Sequence, residues 1–417
     1  MKLNLNPFKA DFPELTPLWI SVFVDILGFS ILIPFLPFFG QQFGAPAWQI
    51  GLLLSTNALF GFFFGPIWGS LSDRYGRKPT LLISQLGTLA GFVMMAFSGS
   101  LTMMFISRII DGIFGGNYPI AKAIVGDVVP PDKRSEQMSN IGVAHVLSSL
   151  IGPGLGGLLS PWGILAPGLM AASMTTVAVL MTFFLLKESN PLLVASTAPA
   201  GHPAGLEPVG AQVAPSRRRD IWQNLLARFL LVQWGLHTLS FTVYMSSISL
   251  FANLKLGLDA AQMGKLLMMA GIVRVFIRYV IFVPMRRRWG DRKTSLIGLG
   301  LFVPTYLLLG FVTNQLQFAG ILCLVSFGAA CSRGILNSFL SRSVAPSQQG
   351  AAMGLSASLD SFAQIAGPLI GGVVLDRTPL WVYGGITAFF ALGAFAMALR
   401  PLDLGDQRAA VPTGAVS

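Results

Sequence analysis

The sequence predicts an all-α membrane protein whose twelve transmembrane helices form two pseudo-symmetric six-helix bundles. Three observations support this prediction: the composition of the chain, its division into long apolar segments, and short motifs that recur between its halves. Of the 417 residues, 53% are hydrophobic and only 11% are charged. About a quarter of the residues of a soluble domain are charged, so this composition argues against a soluble enzyme and indicates a chain surrounded mostly by lipid.

Twelve apolar segments follow one another along the chain. A helix rises 1.5 Å per residue, so a segment of about 20 residues can cross a hydrocarbon core roughly 30 Å thick. In chain order the predicted spans are residues 17–39, 49–71, 80–98, 101–124, 138–160, 164–186, 226–250, 262–285, 294–313, 316–337, 351–374 and 380–399.

Membrane topology, rather than nucleic-acid binding, explains the net charge of +11. The basic residues concentrate in alternate loops and at the ends of the chain, whereas the opposite loops hold only Lys255 and Arg377. The positive-inside rule then places both termini in the cytoplasm, as an even number of spans requires. Asp25 interrupts the first apolar run and no small-residue cleavage site follows it, so we expect an uncleaved first span.

A change in composition divides the twelve spans into six and six. Residues 189–219 are rich in Pro, Ala and Gly and end in three consecutive arginines, a pattern typical of a flexible linker. We therefore expect an N-terminal bundle at residues 1–188, a cytoplasmic linker at 189–222, a C-terminal bundle at 223–400 and a cytoplasmic tail at 401–417.

Three short motifs recur in the two halves at nearly constant spacing. Gly-Pro-x-x-Gly-Gly at residues 152–157 returns 215 residues later at 367–372. Gln-x-Gly at 49–51 returns at 262–264, and Tyr-Gly-Arg-Lys at 75–78 corresponds to Trp-Gly-Asp-Arg at 289–292. Collinear repeats of this kind indicate a duplicated chain.

Charged residues inside predicted spans need a partner or water, because each costs at least about 2.5 kcal/mol at the bilayer centre. Helical rise places four of them near one level, about halfway across the membrane: Asp25, Asp111, Arg274 and Asp360. Arg108 and Asp111 are three residues apart, on one helical face, and are expected to pair. Asp360 is expected to pair with Arg274 or Arg278. The charged residues within spans are Asp25, Arg108, Asp111, Arg274, Arg278, Arg333 and Asp360.

The loop after the second span resembles the signature of the major facilitator superfamily, Gly, three residues, then Asp-Arg-x-Gly-Arg-Arg/Lys. It matches at every fixed position: Gly69, Asp73, Arg74, Gly76, Arg77 and Lys78. The resemblance covers nearly the whole chain and implies the major facilitator fold, a duplicated transporter architecture.

Within that superfamily the chain is most similar to twelve-span drug:proton antiporters of the tetracycline-exporter type. An acid precedes two prolines in the first span, at Asp25, Pro34 and Pro37, and the fourth span carries Arg108. The fifth span matches the core of the antiporter motif, except that Ser139 and Ser148 replace its usual upstream glycines. The matching residues of that motif are Gly152, Pro153, Gly156 and Gly157.

The resemblance implies a role for each group. Spans one, four, seven and ten surround a central cavity, so Asp25 is the first candidate for proton carrier, with Asp111 next and Arg108 as the cation that modulates them. Asp73 forms a latch with the positively polarised N-terminus of span eleven. Its equivalent in the second half is Arg287, which cannot make the same contact because it is a cation. The glycines of span two allow close backbone approach, and span five seals the cavity or packs closely. The residues expected to line the cavity in addition are His237, Arg274, Arg333 and Asp360.

The expected function is export of lipophilic or amphiphilic small molecules in exchange for protons by alternating access, in an inner or plasma membrane. The partners are the substrate, protons and the lipid bilayer, and one chain is expected to suffice. No enzymatic activity, cofactor or metal is expected, because the Gly-x-Gly-x-x-Gly at 152–157 lies within an apolar span. One alternative is a carrier of a polar metabolite such as a sugar or organic anion. The other is a sensor or scaffold without transport activity.

Overall fold

The computed structural model describes residues 12–130, 133–190, 221, 224–345 and 348–400. Most of the predicted linker and all of the predicted tail lie outside these ranges. The described residues form twelve helices that correspond to the twelve predicted spans. Eight stretches are long and apolar enough to cross a membrane, and one of them, Ala260–Leu309, contains two helices.

The N-terminal half contains α1 to α6. Their bounds are Pro13–Gln42 for α1, Ala47–Tyr75 for α2, Arg77–Ala96 for α3, Leu101–Ile113 with Asn117–Val128 for α4, Arg134–Leu159 for α5 and Leu165–Leu185 for α6. Short 3₁₀ turns begin α1 and interrupt it at Ile33–Phe35, where Pro34 removes a backbone donor. The break in α4 falls at Gly115 and Gly116, before Pro119.

The C-terminal half contains α7 to α12. Their bounds are Leu225–Leu256 for α7, Ala260–Phe276 for the start of α8, Gln315–Arg342 for α10, Gln349–Arg377 for α11 and Leu380–Leu399 for α12. Helix α8 continues through a π-helical segment, Ile277–Phe282, into the stretch Val283–Leu309, where Gly290 adopts a φ of 77° and separates α8 from α9. Several helices are longer than predicted, because their polar ends continue beyond the apolar run.

Each half is held together by packing among its own helices. In the N-terminal half α1 packs on α5 and α6, and α3 packs on α4 and α6. In the C-terminal half α7 packs on α11 and α12, and α9 packs on α10 and α12. Equivalent helices thus make equivalent contacts, as expected of a duplicated chain.

The halves meet through two pairs of helices, α2 with α11 and α5 with α8. A Cβ added to Gly157 on α5 would lie 2.7 Å from the Cα of Gly264 on α8. A Cβ added to Gly51 on α2 would lie 3.2 Å from the Cα of Gly372 on α11 and would clash with the Pro368 carbonyl. Each pair therefore joins a Gln-x-Gly motif to a Gly-Pro-x-x-Gly-Gly motif, so the recurring motifs of the sequence form the contact between the halves.

Both glycine contacts lie at the end of the molecule away from the Gly76 and Gly290 loops. We call the end that carries those two loops, with their arginines, the basic end, and the other end the glycine end. Toward the basic end, a Cβ added to Gly65 or Gly69 on α2, or to Gly350 or Gly354 on α11, would meet no atom within 4 Å. The structure is therefore closed at the glycine end, and the close packing predicted along Gly65 and Gly69 is not formed in this conformation.

Candidate transport site

A cavity of about 270 Å³ lies between the two halves, on the basic side of the glycine contacts. Helices α2 and α4 supply one wall and α11 supplies the other. Glycines and small residues leave the space open, while Asn57 and Gln364 contribute polar groups from opposite sides. The lining residues are Asn57, Ala58, Gly61, Phe62, Gly112, Gly115, Tyr118, Pro119, Ser361 and Gln364.

Asn57 connects this cavity to a buried ion pair in α4. Its side-chain Nδ2 donates a hydrogen bond of 2.7 Å to Asp111 Oδ2. Arg108 Nη1 lies 3.3 Å from the same oxygen, so the pair expected from the spacing of Arg108 and Asp111 is present. The Arg108 side chain is completely buried, and its guanidinium lies over the ring of Phe92 at 5.6 Å. None of the Arg108 side-chain nitrogens makes a hydrogen bond to the described protein atoms.

Asp25 forms a second polar centre, where α1 faces the break in α4. Asn117 Nδ2 donates a hydrogen bond of 2.8 Å to Asp25 Oδ2, while Asp25 Oδ1 is buried without a partner among the described residues. Ser84 on α3 holds the break, because its Oγ lies 2.6 Å from Asn117 Oδ1 and accepts the Gly116 N–H at 3.0 Å. The broken helix thus presents an amide donor to the acid. Asp25 also lies within electrostatic range of Asp111.

Asp360 on α11 pairs with Arg333 on α10 rather than with Arg274 or Arg278. Arg333 Nη2 lies 3.5 Å from Asp360 Oδ2. Two neutral donors on α7, Trp234 Nε1 and Thr238 Oγ1, each lie 3.0 Å from the other carboxylate oxygen. The expected pairing was wrong because packing brings Arg333 of α10, rather than the arginines of α8, to one carboxylate oxygen, while donors of α7 occupy the other.

The remaining predicted cavity residues take different positions. His237 is buried, with Nε2 3.4 Å from Ser332 Oγ and its ring 5.4 Å from that of Phe302. Together with Arg333 it borders a small pocket lined by His237, Thr238, Phe241, Ala329 and Arg333. Arg274 lies within electrostatic range of Arg333 and of the Tyr244 hydroxyl, and its Nε is buried with no hydrogen-bond partner among the described residues.

At the basic end, the predicted latch residues form a cluster within the N-terminal half. Arg77 Nε lies 2.7 Å from Asp127 Oδ2 at the end of α4, and Arg77 Nη1 lies 2.5 Å from Asp73 Oδ1. Glu188 accepts the backbone N–H groups of Arg77 and Lys78, at 2.8 and 3.1 Å, and so caps the start of α3. In this conformation Asp73 is thus paired within its own half. Its contact with α11 stays a prediction for another conformation.

The C-terminal half repeats this cluster with the charges exchanged. Asp291 follows Gly290 just as Arg77 follows Gly76. Both glycines have a positive φ, 77° at Gly290 and 105° at Gly76. Asp291 accepts from Arg342 at the end of α10 at 2.8 Å, where Arg77 meets Asp127 in the first half. Arg286 also pairs with Asp291, at 2.5 Å. The second loop therefore keeps the geometry of the first and reverses its polarity.

The antiporter-type motif of α5 packs against both halves. A Cβ on Gly152 would clash with Ser30, and one on Gly156 would clash with Ile31 and Phe35, all on α1. Pro153 presents its carbonyl oxygen to Gly264, where an added Cβ would lie 2.9 Å away. These contacts fit the close-packing interpretation, and they place the motif in the closed glycine end.

Comparison with known proteins supports the fold and identifies the family. The sequence profile of the Major Facilitator Superfamily matches residues 18–287 and 280–415. The tetracycline resistance protein, class H, of Pasteurella multocida is 28% identical over 375 residues, covering 87% of this chain and 90% of that protein. Multidrug resistance protein 2 of Bacillus subtilis (strain 168) is 25% identical, covering 90% and 91%.

Among solved structures, the human organic anion transporter MFSD10 (TETRAN) superposes with a TM-score of 0.64 and 23% identity, covering 94% of this chain and all of that one. A likeness at this identity shows the fold alone. The profile match covers nearly the whole chain and agrees with the two sets of six helices. The chain belongs to the major facilitator superfamily.

Proposed function

We propose that the protein is a secondary transporter that exports lipophilic or amphiphilic small molecules in exchange for protons. The observation that carries this proposal is the cavity between the halves, closed at the glycine end and lined by Asn57, which bonds directly to the buried Asp111. The tetracycline and multidrug resistance proteins among its relatives support the drug-efflux assignment. The buried charges also favour transport over a scaffold, since such groups in a membrane mark pathways.

The orientation follows from the charges. The basic end carries Arg74, Lys78 and the arginines at 286–288, so the positive-inside rule places it in the cytoplasm of an inner or plasma membrane. The structure then represents the inward-facing conformation, in which a compound enters the cavity from the cytoplasm. Opening of the glycine end and closure of the basic end would complete alternating access, with one chain forming the whole pathway.

Asp25 is the proposed proton carrier. Its Oδ2 accepts one hydrogen bond from Asn117, and its Oδ1 is buried with no partner in the described part of the chain, so a proton on Oδ1 would remove an uncompensated charge. Asp111 differs, because Arg108 and Asn57 both face its Oδ2. Asp25 is thus the less stabilised anion. A compound bound in the cavity would affect the Asp111–Arg108 pair through Asn57, which lines the cavity and bonds to Asp111.

The available energy is sufficient for useful export. One proton entering down an inside-negative potential of 100 mV releases about 2.3 kcal/mol, and one pH unit adds about 1.4 kcal/mol. Their sum corresponds to roughly 500-fold accumulation of a neutral compound.

The experiment is drug-driven proton movement in proteoliposomes that contain a pH-sensitive dye. Under an imposed proton gradient, a lipophilic cation, a tetracycline and a sugar are added in turn. The proposal expects proton flux with one or more of the amphiphilic compounds and none in Asp25→Asn. Proton flux with the sugar alone, or substrate flux without protons, would contradict it and favour a carrier of polar metabolites.

A further inference from the structure

The C-terminal half holds more positive than negative charge among its described residues at the level of the cavity. Arg274 and Arg333 lie within electrostatic range of each other on α8 and α10. Asp360 pairs with Arg333 at 3.5 Å, and its other oxygen is occupied by Trp234 and Thr238. Arg274 makes no ion pair or hydrogen bond among the described residues, and its Nε is buried. One guanidinium is therefore left without a counter-charge.

Such an arrangement is costly for the protein alone. Arg274 is only partly exposed and its Nε is buried, so part of its solvation is lost without an acid or hydrogen-bond acceptor in return. Arg333, whose side chain is 51% exposed, adds a weaker repulsion that water screens. The groups that face Arg274 from the neighbouring helices are Arg333 and the hydroxyls of Tyr244 and Tyr306. Neutral hydroxyls orient a ligand without cancelling a charge. An anionic ligand would supply the missing counter-charge.

The surroundings of the two arginines are aromatic. The rings of Tyr244 and Tyr306 lie 5.1 Å apart, and the ring of Phe241 lies 6.4 Å from that of Tyr244. Arg333 lies over the Trp234 ring at 5.6 Å and borders the small pocket with Phe241. A cationic pair beside flat apolar surfaces suits a ligand with an acidic group attached to an aromatic body.

We propose that the substrates include amphiphilic organic anions whose acidic group docks between Arg274 and Arg333, with its aromatic portion against Phe241, which borders the small pocket beside Arg333. This inference rests on the proposed export function and specifies its substrate class. Arg274 supplies the free charge, whereas Arg333 is shared between the ligand and Asp360. A sulfonate, carboxylate or phenolate shares the required chemistry.

The test compares dansyl sulfonate with its neutral N,N-dimethyl sulfonamide in proteoliposomes. The sulfonate stays ionised and carries no proton through the bilayer by itself, so any proton flux requires the protein. We expect Arg274→Gln to raise the KM for the sulfonate about 10- to 100-fold, as loss of a charged hydrogen bond does, and to leave the KM for the sulfonamide within about twofold. Arg274→Lys restores part of the sulfonate affinity, because it keeps the charge.

Arg278→Gln is the matched control. Arg278 lies one helical turn beyond Arg274 on the same helix, but its guanidinium lies over the Phe282 ring at 4.6 Å. We expect this variant to transport both compounds like the wild type. An equal loss for both compounds in Arg274→Gln would assign Arg274 a structural role and overturn the inference.

The inference and the export function fail in different ways. If the sulfonamide drives proton flux while the sulfonate neither drives it nor competes, export stands and the anion site is wrong. If neither compound moves protons, proton-coupled export is contradicted. Dansyl fluorescence on binding to the purified protein then decides the anion site: weaker sulfonate binding in Arg274→Gln supports it, and unchanged binding rejects it.

Discussion

Gly264 on α8 packs against Gly157 on α5 so closely that a Cβ on Gly264 would lie 2.5 Å from the Gly157 Cα. The same contact recurs between Gly51 on α2 and Gly372 on α11. These two crossings hold the N- and C-terminal halves together at the glycine end. Because backbones meet there without side chains between them, each crossing is sensitive to a single added group.

Gly264→Leu is expected to open the glycine end. The overlap costs about 1–3 kcal/mol, which lowers the population of this closed state about 5- to 150-fold. Spin labels are attached at Phe43 and Leu316, both exposed at this end, in a background lacking Cys323 and Cys331. Double electron–electron resonance then measures the distance between the two labels. The distance distribution should shift to larger values.

Gly385→Leu provides the control, since a Cβ at Gly385 on α12 meets no atom within 4 Å. Its distance distribution should match that of the wild type. If Gly264→Leu also leaves the distribution unchanged, the glycine crossings do not hold this end closed.

Asn57→Leu is expected to uncouple the cavity from the buried pair in α4. Removing the 2.7 Å bond leaves Asp111 with one fewer donor in a buried site, which costs about 1–3 kcal/mol of stability. Drug-driven proton flux should fall while drug binding persists. Thr56→Val is the matched change, because Thr56 bonds to the Leu52 carbonyl of its own helix. Equal proton flux in the two variants would show that Asn57 has no coupling role.

Asp127→Asn and Arg342→Gln test the two charge-exchanged clusters. Arg77 and Asp127 have side chains only 9% exposed, but Arg77 keeps its second partner Asp73 in Asp127→Asn, so the free energy of unfolding should fall by about 1–3 kcal/mol. Arg342 is 53% exposed, and its loss should cost less than about 1 kcal/mol. Unfolding titrations in mixed micelles provide both values. Similar losses for both variants would contradict the burial argument.

Asp360→Asn is expected to strengthen the binding of the anion proposed as substrate. The carboxylate competes with a bound anion for Arg333, so its neutralisation should raise affinity for dansyl sulfonate about tenfold. Affinity for the neutral sulfonamide should change little. Fluorescence titration of the purified protein measures both. Weaker sulfonate binding in Asp360→Asn would show that Asp360 shapes the site rather than competing for it.

The sequence was sufficient for the helices, because long apolar segments and recurring motifs report directly on membrane crossing and duplication. It also predicted the Arg108–Asp111 pair, since residues three apart share a helical face. The partner of Asp360 was missed, because tertiary packing brings Arg333, Trp234 and Thr238 together from positions far apart in the chain.

The amides of Asn57 and Asn117 were overlooked for a different reason. They carry no charge, so a search for ionised groups within the spans does not find them, although a neutral amide in an apolar segment is itself a polar group that needs a partner. The prediction for the glycine motifs was also incomplete. Their recurrence was visible in the sequence, but only the structure shows that the two kinds of motif contact each other.

The central claim is that Asp25 carries the proton while the cavity carries the compound. The most direct test compares two assays of Asp25→Asn in proteoliposomes: exchange of labelled for unlabelled compound without a gradient, and accumulation driven by a proton gradient. We predict that Asp25→Asn keeps the exchange, because the cavity and its walls remain, and loses the accumulation. Gradient-driven accumulation at the wild-type level in Asp25→Asn would contradict the account.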